Sequence, residues 1–314
     1  MITKNPSPAR LVNKFKEHAR FVVEHHFGSA PGRIVHKSAG LTNFVFAAKH
    51  KAGEFIIRIS PEAAAINSFI KEQWAQTAAR KAGVPTAEIL EVGSAIIPHP
   101  YMITRSVTGA EATYHPERAK IVGDMGRFAA LINGIRTKGF GETFDWSNNQ
   151  LSRNETWKEY LVNEYRYDSK LDILEKHRML SAEQLRRLRK VFAEASKMKP
   201  RPVLNHGDIR LKNVIADENG KISAIIDWEN CTSNLGPHWD LSLGLHDLGV
   251  DDMQHFLLGY GIKENKLREA MPLIKAFNIT NYASAIEGIV RSGDKTRLEQ
   301  YRTRMSGALD LYSF

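Results

Sequence analysis

At 314 residues, with 42% hydrophobic and 25% charged side chains and no collagen-like or low-complexity bias, the chain has a globular composition and room for two ordinary domains. One cysteine, Cys231, excludes an intramolecular disulfide and a cysteine-rich zinc site, which suits a reducing cytoplasm. A formal charge of +9 suits an anionic partner, either nucleotide or nucleic acid, but Lys and Arg are scattered and no recognition motif or aromatic–basic stripe marks a nucleic-acid surface.

The first twenty residues lack the apolar core of a signal peptide. No window approaches the roughly 18 consecutive apolar residues of a membrane span. Leu11 to Phe27 has the spacing of an amphipathic helix, with Leu11, Phe15, Ala19 and Val22 on one side. From Ile34 to Ile59 the texture turns to short β-type runs, "FVFAAKH" and "FIIRIS", around the turn "KAGE". A helix is expected from about Ala63 to Ala82, stopped by Gly83 and Pro85. "EILEVGSAI" and "YMITRSV" follow as strands. Most of the chain from Ile121 to Pro200 is expected to be helical, one helix opening with a Ser181–Gln184 capping box. Val214–Ala216 and Ile222–Ile226 predict a hairpin across Asn219-Gly220, and helices dominate after Trp239. The pattern predicts an α+β protein of two lobes, a β-rich one over residues 1–106 and a mainly helical one over 107–314.

Within "LNHGDIRLKNVIADENGKISAIIDWE", Asp208 follows a glycine, Asn213 lies five residues on, and Asp227 ends an apolar strand. Singly, each is a turn residue. Jointly they supply what phosphoryl transfer needs: a carboxylate to orient or deprotonate a hydroxyl, and oxygen ligands for magnesium bridging nucleotide phosphates.

This segment resembles the catalytic and metal-binding loops of the aminoglycoside phosphotransferase family, whose fold is like that of protein kinases. His206, Gly207, Asp208 and Asn213 match its His-Gly-Asp and Asn motif, and Ile226, Asp227 and Trp228 its Ile-Asp-Trp motif. The resemblance implies ATP and Mg2+ as cofactors, Asp208 as catalytic base, Asn213 and Asp227 as metal ligands, and His206 as a prop for the loop. "SAGLTNFVF" is similar to the family's nucleotide loop, with Ser38, Gly40, Thr42 and Asn43 near the phosphates. Arg58 then stands for the phosphate-binding cation and Glu72 for its helix partner. "YMITRSVTG" resembles the hinge, which places Thr104 at the back of the pocket and the backbone of Arg105 and Val107 on adenine. Asp240 is expected to brace the catalytic loop. The chain departs from the family at Asn133, at Arg210 and at Gly236-Pro237-His238, positions expected on the acceptor side.

Between Ile222 and Ile262 there is no Lys or Arg but six acids. Asp247, Asp251 and Asp252, with Glu229, are therefore expected to form an acidic lip for a cationic acceptor. The resulting reading is a cytoplasmic small-molecule kinase acting on an acceptor hydroxyl, of an aminoglycoside-like or other amine-bearing compound. Its rivals are a metabolic kinase of the choline, homoserine or sugar type, and a kinase-fold regulator that binds nucleotide without turnover.

Overall fold

The computed structural model describes residues 8–37, 43–142, 153–245 and 248–310. Helix α1 (Pro8–Phe27) precedes the antiparallel strands β1 (Arg33–Lys37), β2 (Phe44–His50) and β3 (Gly53–Ile59). Helix α2 (Ala65–Lys81), β4 (Ile89–Gly93) and β5 (Tyr101–Arg105) complete a five-stranded sheet of order β1-β2-β3-β5-β4.

Period-two alternation decides what each face of this sheet does. Phe46, Phe55, Ile57, Ile59, Tyr101 and Ile103 are buried against Phe15, Ala19, Val22 and Val23 of α1. The intervening residues Val45, Ile56, Arg58, Met102 and Thr104 face the other way and line a cleft. Cross-strand register keeps them together, since Arg58 lies opposite both Val45 and Met102, and Ile56 opposite Thr104. The single polar interruption in "FIIRIS" is thus placed in the cleft by its neighbours.

The lower lobe opens with β6 (Ala110–Glu111) and α3 (Arg118–Asn133), followed by α4 (Trp157–Glu159), α5 (Tyr167–Lys176) and α6 (Ala182–Ala195). Strands β7 (Val203–Asn205), β8 (Val214–Ala216), β9 (Ile222–Ile225) and β10 (Thr232–Asn234) come next, then helices α7 (His238–Gly244), α8 (Val250–Tyr260), α9 (Glu264–Asn281), α10 (Ala283–Ser292) and α11 (Lys295–Asp310). β6, β8 and β9 form one small sheet and β7 with β10 another, so the catalytic-motif residues lie between two short sheets. The α6 capping box is present: Ser181 Oγ accepts from Gln184 N–H at 3.2 Å, and Gln184 Oε1 from Ser181 N–H at 2.9 Å. The hairpin strand ends at Ile225, and the ladder's last bond runs from Ile226 N–H to Asn213 O at 2.9 Å.

The region from Ile121 to Pro200 is less continuously helical than its sequence suggests. After Gly134 the chain bridges from Arg136 to Val203 and from Gly141 to Ser233, with Gly139 and Gly141 both at positive φ. Two clusters of buried side chains fill this lobe, and Ala75, Ala79 and Val84 from the α2 region join the one around Trp228. Among the described residues no helix is long and apolar enough to cross a membrane.

Helices α3 and α8 approach through glycine. A Cβ on Gly126 would sit 2.0 Å from Phe256 O, and one on Gly259 1.9 Å from Gly123 O. Gly126→Ala is therefore expected to destabilise the lobe by about 1–3 kcal/mol through overpacking, despite alanine's better helix propensity. A denaturant midpoint equal to or above that of the parent would refute this packing account.

Candidate active site

The cleft between the lobes encloses about 680 Å³. Its apolar part is formed by Val45, Ile56, Ala87 and Met102 from above and by Ile215 and Ile226 from below. The hinge backbone is oriented by the ladder. Ser106 N–H donates to Glu54 O at 2.9 Å, so the neighbouring Phe55–Arg105 pair is the non-hydrogen-bonded kind. Arg105 accordingly turns its backbone away from β3, and its N–H donates to Glu88 O at 2.8 Å. Thr104, Arg105 and Val107 all line the cleft, as does Asn43. Ser38, Gly40 and Thr42 lie outside the described residues.

Arg58 forms a fork with Glu72, Nη1 to Oε2 at 2.6 Å and Nη2 to Oε1 at 3.1 Å. Glu72 is wholly buried, so the fork fixes a guanidinium whose remaining edge faces the cleft. Burial opposes the Arg58 charge, but the charge and hydrogen bonds of Glu72 outweigh it and raise its pKa. The next residue of α2 reaches across the lobes: Lys71 Nζ donates to Glu229 O at 2.9 Å. One helical turn beyond Glu72, Gln76 is buried in the cleft wall with its Oε1 lacking a hydrogen-bond partner.

The loop that carries Asp208 is held from beneath by a buried carboxylate. Asp240 Oδ2 accepts from His206 N–H at 3.1 Å and Oδ1 from Gly207 N–H at 2.9 Å. Asn133 Nδ2 donates to Oδ2 at 2.9 Å, and Tyr260 OH to Asn133 Oδ1 at 2.8 Å. Gly207 has φ +78°, and a Cβ there would meet Asn230 O at 2.0 Å, so no other residue fits. His206 is a neutral prop. Its Nδ1 accepts from Asp208 N–H at 3.2 Å, its Nε2 donates to Ile226 O at 3.1 Å, and burial lowers its pKa to about 4.

Asp208 itself meets three donors. Arg210 Nε pairs with Oδ1, Lys212 Nζ lies 3.1 Å from Oδ2, and Asn213 Nδ2 donates to Oδ2 at 2.9 Å. Burial alone raises the Asp208 pKa, but the hydrogen bonds and charges of Arg210 and Lys212 reverse it and keep the carboxylate ionised. Because Asn213 commits its amide nitrogen to Asp208, its Oδ1 is the atom left for a hard cation. Asp227 stands in the left-handed region at φ 64°, ψ 60°, a strained conformation that side-chain carboxylates tolerate better than most. It lines the same cleft as Asn213. Among the described residues no cluster of three His, Cys, Asp or Glu forms a closed metal site. An Asn–Asp pair open to the cleft instead fits magnesium, which keeps positions for phosphate oxygens and water.

A second cavity of about 470 Å³ adjoins the loop on the other side, where Gly207 and Asn230 meet Glu142, Glu164, Lys170, Trp239 and Asn281. The expected acidic residues are only partly here or in the cleft. Glu229 lines the cleft, with its Oε2 3.9 Å from Arg58 Nη2, and burial followed by the charge of Asp227 raises its pKa. Asp252 is instead held by Arg118 Nε at 2.7 Å across to α3, and Asp251 stands exposed in the first turn of α8. Neither lines the two cavities at the Asp208 loop. Asp247 lies outside the described residues. Of the positions that depart from the family motif, Asn133 lies under the loop and Arg210 on Asp208.

The model of the phosphotransferase enzyme family matches residues 36–273. Among curated proteins no sequence matches. A thermostable mutant of aminoglycoside phosphotransferase APH(4)-Ia, in ternary complex with ADP and hygromycin B, superposes with TM-score 0.68 at 18% identity, covering 94% of this chain and 99% of its own. The GDP and kanamycin complex of APH(2")-IIia gives 0.63 at 13% identity, with 95% and 100% covered. A putative fructosamine-3-kinase from Haemophilus somnus 129PT gives 0.60 at 13%, with 95% and 99% covered. At these identities the likeness is one of fold: a β-sheet upper lobe on a mostly helical lower one.

Desolvation raises the Asp240 pKa to about 6, the hydrogen bonds from Gly207, Asn133 and His206 working against it. Its folded pKa exceeds the ordinary 3.8, so protonation below pH 6 favours the folded state while weakening the acceptor for two loop amides. Acidification from pH 7 to 5 is expected to reduce the exchange protection of the His206 and Gly207 amides by up to about tenfold. Over the same window Asp240 itself should cause no fall in global stability. Protection factors unchanged across that interval would dismiss Asp240 as a titrating brace.

Proposed function

The chain belongs to the phosphotransferase enzyme family, and on that premise we propose that it is a cytoplasmic, magnesium-requiring kinase that moves the γ-phosphoryl group of ATP to a hydroxyl of a small molecule. One observation carries the reading: a loop carboxylate held ionised, Asp208, lines a nucleotide-sized cleft, while Gly207 just before it lines a separate polar cavity. A regulator that only bound nucleotide would have no use for the second cavity beside that carboxylate. Fold neighbours that hold ADP with hygromycin B, or GDP with kanamycin, support a nucleotide in the first space and an acceptor in the second.

In this reading the purine lies between Ile56 and Met102 above and Ile215 and Ile226 below, with the backbone of Arg105 and Val107 at its edge. Arg58, aligned by Glu72, meets the phosphates beside Asn43, and Ser38, Gly40 and Thr42 are assigned to the same phosphates by the family resemblance alone. Asn213 and Asp227 would hold magnesium, which neutralises charge on the phosphates. The acceptor hydroxyl attacks the γ-phosphorus, the bond to the bridging β,γ-oxygen breaks, and Asp208 takes the hydroxyl proton. Arg210 and Lys212, which pair with Asp208, line the same cleft and would offer their charge to the transferring group.

Glu142 and Glu164 in the second cavity favour an amine-bearing acceptor, aminoglycoside-like or a metabolic amino alcohol, over a neutral sugar. The kinship in fold with a putative fructosamine-3-kinase keeps metabolic acceptors beside antibiotics in the panel to be screened.

Asp227→Ala is expected to abolish turnover and to uncouple ATP binding from magnesium; calorimetry giving the same magnesium-dependent affinity as the parent would exclude it as a ligand. Asp208→Asn should bind ATP normally and lower turnover by about 10²–10⁴-fold. Near-normal turnover in that variant would remove Asp208 from the chemistry.

A further inference from the structure

The second cavity contains an ammonium group that no ion pair holds among the described residues. Lys170, on α5, lines it with its Nζ 3.5 Å from the centroid of the Tyr165 ring. Among the described residues no carboxylate lies within ion-pair distance of that nitrogen. The acids of the same cavity are held by other groups and neither is committed to Lys170. Glu164 accepts from the Glu142 N–H at 2.8 Å and from Asn154 Nδ2 at 2.7 Å, and Glu142 lies 3.9 Å from Lys71 Nζ. Two residues of the cavity wall also carry buried donors that lack a hydrogen-bond partner among the described residues, Asn281 Nδ2 and Trp239 Nε1, although neither atom is itself exposed to the cavity. Asn281 is itself positioned, because its Oδ1 accepts from Tyr165 OH at 3.1 Å.

A wall that offers an ammonium with no carboxylate beside it among the described residues is complementary to an anionic oxygen group and repels a second cation. The ring beneath Lys170 contributes its negative face, which steadies the ammonium without supplying a counter-charge. Desolvation lowers the Lys170 pKa to about 8, which leaves the group charged at neutral pH.

We infer that the phosphoryl acceptor carries a carboxylate that docks on Lys170, with Asn281 and Trp239 on the same wall. With Glu142 and Glu164 lining the same cavity, the acceptor class becomes a hydroxylated amino acid or a related hydroxy acid. This rests on the kinase reading above and narrows it, because a purely polycationic acceptor would place like charge against Lys170.

The test is magnesium-ATP turnover on matched pairs: serine, threonine, homoserine and glycerate, each beside its amide, with ethanolamine and kanamycin as acceptors that lack the carboxylate. The parent enzyme should use at least one acid with kcat/KM about 10- to 100-fold above that of its amide. Lys170→Met should abolish that preference with the KM for ATP unchanged, and Lys170→Arg should restore part of it. Thermal melts of both variants check that the fold persists, and the arginine variant carries the test if the methionine variant does not fold. A panel in which no acid exceeds its amide, in which kanamycin exceeds every acid, or in which the preference survives Lys170→Met overturns the inference. Failure to bind magnesium-ATP at all would overturn the kinase reading instead, so calorimetric binding separates the two failures.

Discussion

The active-site loop depends on a single buried carboxylate. Asp240 collects the His206 and Gly207 amides on one side and Asn133 on the other, and Asn133 is in turn held by Tyr260. Without that acceptor two buried amides would lose their partners, and the loop that presents Asp208 would have nothing beneath it. The arrangement links α3, α7 and α8 to one peptide turn. It also explains why Gly207 and the neutral His206 are required, one by the close approach of Asn230 O and the other by two opposed hydrogen bonds. The energetic cost of burying Asp240 is offset only in part by donors fixed by the fold, and its raised pKa records the remainder.

The upper lobe solves a different problem, how to place one cation and several apolar groups on the same surface. Strand alternation does this without any special loop. Residues that would break the hydrophobic face against α1 are turned to the opposite face, where Arg58 finds Glu72 of α2. The apolar members of that opposite face, Val45, Ile56 and Met102, then become the ceiling of a flat slot.

Much of this was legible in the sequence, for physical reasons. The alternation in "FIIRIS" and "YMITRSV", the capping box at Ser181 and the turn at Asn219-Gly220 are local signals, and the fold obeys them. The spacing of Asp208, Asn213 and Asp227 carries the catalytic motif because strand, turn and strand lengths fix where each residue emerges. Asn133 was not legible as a loop support, since its partner lies more than a hundred residues away. The acids at Asp251 and Asp252 were misleading for a related reason. Charge density along a chain does not say which way a helix faces, and the glycine contact between α3 and α8 sets that orientation. Lys170 gave no signal at all, because an unpaired cation is recognisable only once its surroundings are known.

Helix α2 belongs to both lobes. Its Glu72 serves the upper sheet, while Ala75 and Ala79 are packed in the core around Trp228 and Lys71 is bonded to the Glu229 carbonyl below. Swinging the whole upper lobe away as a rigid body would therefore strip buried alanines and leave an ammonium without its acceptor. The clamp has one fixed jaw, and any yawning of the mouth must come from the sheet rocking about α2 rather than from the two halves parting.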